Sequence, residues 1–161
     1  MTLSVGDAAP EFSLPDQDRQ VVSLAELRGT PVLLVFYPFA FSGICTGELH
    51  AIRDDLGAFV GDDVQVLAIS CDPVFSLRGW ADLEGYFFPL LSDFWPHGAL
   101  ASAWGVLDPG TGAPRRTTFL LDDALRVRWR DEQTPGRPRS LDDALDAAVR
   151  LLPGAHGGEG P

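Results

Sequence analysis

Residues 32–37, Val-Leu-Leu-Val-Phe-Tyr, are an unbroken apolar run of strand length. A strand without polar alternation has to be covered on both faces, as in the interior of an α/β sheet. After Pro38-Phe39-Ala40-Phe41-Ser42-Gly43-Ile44 the period changes. Cys45, Leu49, Ile52, Leu56 and Phe59 recur at helical intervals. This predicts a helix from about Gly43 to Val60, closed by Gly61-Asp62-Asp63. A second apolar stretch, Val64 to Ser70, is broken only by Gln65. Two buried strands joined by a helix form a right-handed βαβ unit with parallel pairing.

Cys45 then occupies the first turn of a helix leaving a central strand. Unpaired N–H groups and the positive end of the helix dipole favour an anion there, and the thiolate is the nucleophilic form of cysteine. Ser42 brings a hydroxyl within reach, and Pro38 can form a rigid apolar wall that keeps water off the sulfur. A lone buried cysteine is often only a small apolar residue. The combination of proline, hydroxyl and helix start around Cys45 points instead to chemistry.

On either side of this unit the chain is punctuated by turns. Leu3 to Leu14 reads as an extended arm ended by Pro10 and Pro15, Asp16–Gln20 as a turn, and Val21–Leu24 as a short strand. Ala25 to Arg28 forms a helical turn stopped by Gly29. Val74–Leu83 and Gly98–Trp104 are predicted helices, with Phe87–Leu91 a short extended piece between them. Asp108-Pro109-Gly110-Thr111-Gly112 is the clearest turn. Thr117–Leu121 and Leu125–Arg130 form a hairpin across Asp122-Asp123-Ala124. In its second strand Leu125, Val127 and Trp129 alternate with Arg126, Arg128 and Arg130. Ser140-Leu141-Asp142-Asp143 resembles a capping box. It opens a helix with a buried stripe of Leu141, Leu145, Ala148, Val149 and Leu152, ended by Pro153-Gly154. Residues 1–152 are expected to form one domain and the Gly-rich 153–161 a disordered tail.

Charge narrows the function. The 161 residues carry a formal net charge of −11, and all 12 basic residues are arginine. This acidity argues against nucleic acid and against anionic membrane surfaces as partners. The longest apolar run is too short for the ~20 residues that cross a bilayer, and the N-terminus lacks a signal-like core. Two cysteines do not make a disulfide framework, which leaves a reducing cytoplasm as the expected location. His50, His97 and His156 have no metal-ligand spacing, and there is no Cys-x-x-Cys or phosphate-binding loop. Cys71, at the end of the second buried strand, reads as a buried structural thiol; a role in resolving an oxidised Cys45 is the alternative.

The spacing Pro38-x-x-x-Ser42-x-x-Cys45, with Glu48 following, resembles the active-site loop of the peroxiredoxins, whose usual hydroxyl residue is threonine. The likeness extends in order through Val5–Phe12, Val22–Gly29 and Arg115-Arg116-Thr117-Thr118-Phe119, covering roughly residues 3 to 152. The Pro38–Cys45 loop and Leu90–Ala99 are most similar to the alkyl hydroperoxide reductase E subgroup, which uses one cysteine.

This resemblance implies a thioredoxin-like α/β fold: a central mixed β-sheet flanked by helices, with a peroxiredoxin-type N-terminal extension. It implies a thiol peroxidase in which Cys45 attacks the peroxide. Ser42, Arg116 and the N–H groups of Ile44 and Cys45 would stabilise the charge that develops on the two oxygens. Arg116 is preferred over its neighbour Arg115 by its offset to the following strand. Glu48 would orient the arginine, complement the helix dipole, or do both. Ser42 in place of threonine keeps the hydroxyl but fixes its rotamer less firmly. The resemblance further implies no prosthetic group, peroxides as substrates, a low-molecular-weight thiol or small redoxin as reductant, and a symmetric homodimer. The dimer contact would lie near Phe39, Phe41 and Phe94–His97. Two-cysteine relatives carry the resolving cysteine five positions after the first, which here is His50, or in a later helix, where this sequence has none. The alternatives are resolution by Cys71 with thioredoxin as reductant, a peroxide sensor that relays oxidation to a client, and a binding module on a thioredoxin fold.

Overall fold

The apolar run at residues 32–37 supplies the middle strand of a five-stranded sheet. The structure, a computed structural model, describes residues 3–55, 64–134, 137, 139 and 141–151, with backbone alone at 55, 141, 145 and 149. In chain order, the N-terminal segment carries a hairpin of β1 (Ser13–Pro15) and β2 (Val21–Ser23), then a 3-10 turn at Leu24–Leu27. The βαβ unit follows: β3 (Val32–Phe36), α1 (Gly43–Asp55) and β4 (Gln65–Ser70). Next come α2 (Val74–Glu84), β5 (Leu90–Ser92), α3 (Ala99–Ala103) and the small hairpin of β6 (Leu107–Asp108) and β7 (Ala113–Pro114). The chain closes with β8 (Thr117–Leu121), β9 (Val127–Glu132) and α4 (Leu141–Leu151).

The sheet order is β5-β4-β3-β8-β9. β3 pairs parallel with β4 and β4 parallel with β5, while β8 is antiparallel to both β3 and β9. All five residues of β3 are buried, because the strand alternates between two cores. Leu33, Val35 and Tyr37 face α1, α2 and α4 with Val66, Ala68 and Leu120. Val32, Leu34 and Phe36 face the other way, toward Trp104, Leu67, Ile69 and Phe119. The two-residue period of a strand thus divides one apolar run between two layers. This is the mixed sheet, flanked by helices, of a thioredoxin-like fold.

Several boundaries differ from the sequence reading. The expected extension of α1 to Val60 and its closure at Gly61–Asp63 lie outside the described residues, as do Leu56 and Phe59. The N-terminal arm docks on the last hairpin: Gly6 N–H donates to Val127 O (2.8 Å) and Ala9 N–H to Leu125 O (3.0 Å). Leu125 was expected to begin a strand. It has φ +63° and belongs to the turn, so β9 starts at Val127. The Asp122 carboxylate causes this by accepting the N–H groups of Ala124 (3.0 Å) and Arg126 (2.9 Å), an Asx-type bend. The extended piece expected at Phe87–Leu91 pairs only over Leu90–Ser92.

α3 starts one residue later than expected because Gly98 is its N-cap, at φ +65°. The positive φ favours glycine, and a Cβ there would come within 2.8 Å of Leu107 Cδ1 and have to displace that side chain. In α4 the buried positions include Ala144, Ala147 and Ala148, small residues that let the helix approach the sheet closely. Of the expected stripe only Ala148 can be compared. Leu152 and the tail at 153–161 lie outside the described residues, as do the side chains of Leu141, Leu145 and Val149.

Candidate active site

α1 begins at Gly43, at the sheet end where β3 and β4 finish, and places Cys45 in its first turn. The turn closes when Thr46 N–H donates to the Ser42 carbonyl at 2.9 Å. The N–H groups of Ile44 and Cys45 precede that bond and sit at the positive end of the helix. Ser42 Oγ donates to the Phe39 carbonyl at 3.0 Å. This bond fixes a rotamer that the missing methyl would otherwise leave freer.

Beside the loop lies a cavity of about 440 Å³ whose lining includes Pro38, Phe39, Ser42, Arg115 and Arg116. Pro38, Ser42 and Arg116, separated by up to 78 residues in sequence, meet at this one wall. Cys45 does not line it: the residue is fully buried, behind the loop, among Tyr37, Leu49, Trp80 and Tyr86. The cavity thus opens on Ser42 and Arg116 and not on the sulfur.

Behind Cys45 is a charge network in which Glu48 is 5% exposed and Arg116 8%. Glu48 Oε1 accepts from Arg116 Nη1. Glu48 Oε2 accepts from the backbone N–H of Arg139 (2.8 Å) and from its Nε (2.9 Å). Arg139 also donates through Nη1 to the Thr117 carbonyl (3.3 Å) and Thr118 Oγ1 (3.0 Å), and through Nη2 to the Phe36 carbonyl. Burial pulls Arg139 down from the ordinary guanidinium range; Glu48 and, more weakly, Cys45 oppose that, while Arg116 adds to it. Two guanidinium charges share one carboxylate among the described residues. Cys45 lies near enough to this network to be among the groups that act on Arg139.

The sequence reading missed Arg139. It stands in Arg137-Pro138-Arg139-Ser140, ahead of the last helix, where nothing in pattern or spacing marks it as different from a surface arginine. Arg115 and Arg116, the two competitors, both line the cavity. They differ in burial: Arg115 is exposed and its side chain reaches the Gly105 carbonyl at 3.5 Å, whereas Arg116 is buried and tied to Glu48.

His50, on α1, has Nε2 2.5 Å from Glu84 Oε2 at the end of α2. Arg53 Nη1 donates to the Glu84 carbonyl at 2.6 Å, so both side chains tie α1 to α2. His97 is exposed and pairs with the Gly112 carbonyl. No group of three or more metal-ligating side chains occurs among the described residues. Cys45 and Cys71 are both free thiols. Burial, followed by the nearby carboxylates of Asp93 and Asp72, pushes the Cys71 thiol up to about 12.

A cysteine at a helix start on a thioredoxin-like sheet, backed by buried arginines, defines a thiol-based redox protein. The AhpC/TSA family matches residues 5–130. Alkyl hydroperoxide reductase E of Mycobacterium tuberculosis is 48% identical over 150 residues, covering 92% of this chain and 98% of that protein, and its Mycobacterium bovis counterpart matches equally. The crystal structure of peroxidoxin BcpB from M. tuberculosis superposes with a TM-score of 0.83 at 31% identity, covering 92% of this chain and 98% of that one. M. tuberculosis AhpC gives 0.81 at 25% identity, with coverage of 94% and 95%. The chain belongs to the AhpC/TSA family and is a peroxiredoxin, a thiol-dependent peroxidase.

The surroundings of Cys71 give a pH prediction. Its raised pKa leaves it un-ionised at neutral pH, and only the thiolate alkylates. In a Cys45→Ser protein the iodoacetamide rate should stay low at pH 7–9 and still be rising near pH 11. A plateau by pH 9, followed by mass spectrometry, would show an ordinary exposed thiol.

Proposed function

We propose that the chain reduces hydrogen peroxide and organic hydroperoxides through a sulfenic acid on Cys45, which an external thiol recycles. The observation that carries this reading is the Glu48–Arg116–Arg139 network set directly behind a helix-start cysteine. The name of the 48%-identical relatives, alkyl hydroperoxide reductase, supports the substrate class.

In the first step the Cys45 thiolate attacks one peroxide oxygen. The S–O bond forms as the O–O bond breaks, and the distal oxygen leaves as alkoxide or hydroxide and takes up a proton. Arg116 donates to the peroxide oxygens, the Ser42 oxygen, whose own proton goes to the Phe39 carbonyl, accepts from the peroxide hydroxyl, and the Ile44 and Cys45 N–H groups face the charge from the helix end. Pro38 closes the apolar side. Glu48 orients Arg116, and Arg139 fixes Glu48.

In the second step an external thiol attacks the sulfenic sulfur, releasing water and leaving a mixed disulfide; a second equivalent of thiol restores Cys45. The reductant is a low-molecular-weight thiol or a small redoxin, used in a reducing cytoplasm. Cys71 is a poor candidate for resolution, since a thiol held near a pKa of about 12 supplies little nucleophile at neutral pH. The enzyme thus works with one cysteine.

The working unit is a homodimer. Phe39 (48% exposed), at the cavity wall, and Phe41 (54%), Phe94 (49%) and Trp95 (80%) leave large apolar side chains in water, and a second copy of the chain is the proposed cover.

Two outcomes are expected. Reduced enzyme given one equivalent of peroxide should gain one oxygen by intact mass, trapped by dimedone. Cys45→Ser should abolish peroxide consumption, and Cys71→Ser should leave most of it. Loss of two hydrogens within the monomer, absent from Cys71→Ser, would establish the two-cysteine route instead. Separately, sedimentation at micromolar concentration should give a dimer that Trp95→Arg weakens; a monomer throughout that range would refute the dimer.

A further inference from the structure

We propose that Asp72 is a positioning residue for peroxide reduction: its carboxylate clamps the backbone of the active-site loop from the neighbouring strand end. The inference rests on the reading that Cys45 is the peroxidatic residue. It concerns a residue that lies two positions beyond the end of β4, 27 residues beyond that cysteine.

Asp72 Oδ2 accepts the Ala40 N–H at 2.8 Å, across 32 residues of sequence. The same oxygen accepts the Ser70 hydroxyl at 2.8 Å. The aspartate's own backbone is held as well, its carbonyl accepting the Ser92 hydroxyl at 2.6 Å from the end of β5. The carboxylate is thus anchored by two strand ends, and what it grips is the middle of the loop between β3 and α1.

The grip matters because of the next residue. Phe41 has φ +68°, a left-handed conformation that a bulky side chain rarely adopts and keeps only where its surroundings impose it. Two restraints do so. On one side Ala40 is fixed by Asp72. On the other, the Phe41 ring lies 6.0 Å from the Trp80 ring, centroid to centroid, and its Cζ would be 3.9 Å from a Cβ built on Gly79. After Phe41 the chain passes directly to Ser42, whose N–H and hydroxyl both return to the Phe39 carbonyl and whose own carbonyl opens α1. If the clamp is lost, Phe41 can relax to negative φ, swinging Ser42 and the helix start together. A displacement of that kind acts on the geometry of attack rather than on the thiol itself.

The test compares two reactions of the same sulfur in Asp72→Ala, Asp72→Ser and Asp72→Asn. Asparagine retains a side-chain oxygen that can accept the Ala40 N–H. Serine is too short to reach it but remains polar, which guards against a folding failure in Asp72→Ala. Single-turnover peroxide oxidation is followed by stopped-flow tryptophan fluorescence, and iodoacetamide alkylation of Cys45 by mass spectrometry. Asp72→Ala and Asp72→Ser should oxidise at least about tenfold more slowly with alkylation not reduced, and Asp72→Asn should stay within about threefold of the parent. Either folded variant oxidising at the parent rate, Asp72→Asn failing as badly as Asp72→Ala, or alkylation falling in step with oxidation would overturn the proposal. A Cys45→Ser control that still consumes peroxide would instead overturn the peroxidatic assignment.

Discussion

The structure turns on the buried guanidinium of Arg139. It is one side chain with donors on three nitrogens, and those donors reach three elements: Glu48 on α1, Phe36 at the end of β3, and Thr117 and Thr118 on β8. Those are the elements that bear Cys45, the active-site loop and, one residue before β8, Arg116. A buried charge is tolerated only when its donors are satisfied, and removing one member of such a set costs about 3–5 kcal/mol. The network therefore fixes geometry first. In composition it is two guanidinium groups on one carboxylate.

The same rigidity creates a conflict. The Cys45 sulfur is fully buried, yet the proposed reaction requires it to meet a peroxide and then a thiol. Rigidity and access are assigned to different parts of the structure. Glu48 and Arg139 hold α1 from the sheet side, while the loop at 38–42 carries a left-handed Phe41 and adjoins the open cavity. Opening of this loop would have to release the Ala40–Asp72 bond, and the left-handed Phe41 beside it favours that release. His50 and Arg53, tied to Glu84, brace the helix one turn beyond the region that has to give way.

The features legible in the sequence were those written in local pattern. The unbroken run at 32–37 could only be a central strand, and its change to helical spacing put Cys45 at a helix start. Ser42, Pro38 and Glu48 were legible because they lie within a few residues of that cysteine. Arg116 was reached through resemblance, and burial separates it from Arg115 only in three dimensions. Arg139 was not legible at all. It meets Glu48 across 91 residues, and a buried arginine carries the same letter as a solvated one. Asp72 lies just past the end of a strand, and its hold on Ala40 depends on which strands are neighbours. Leu125 fell on the wrong side of a boundary because Asp122 bends the backbone through its side chain, a preference stronger than apolar alternation.

The most direct measurement is the rate of Cys45 oxidation by peroxide in an Arg139→Lys protein. Lysine keeps the charge but offers one nitrogen where the fork spans several partners. If the fork sets the site's geometry, the folded variant should oxidise at least about tenfold more slowly than the parent, with its circular dichroism unchanged. A folded Arg139→Lys protein that reacts at the parent rate would contradict the central role of the network.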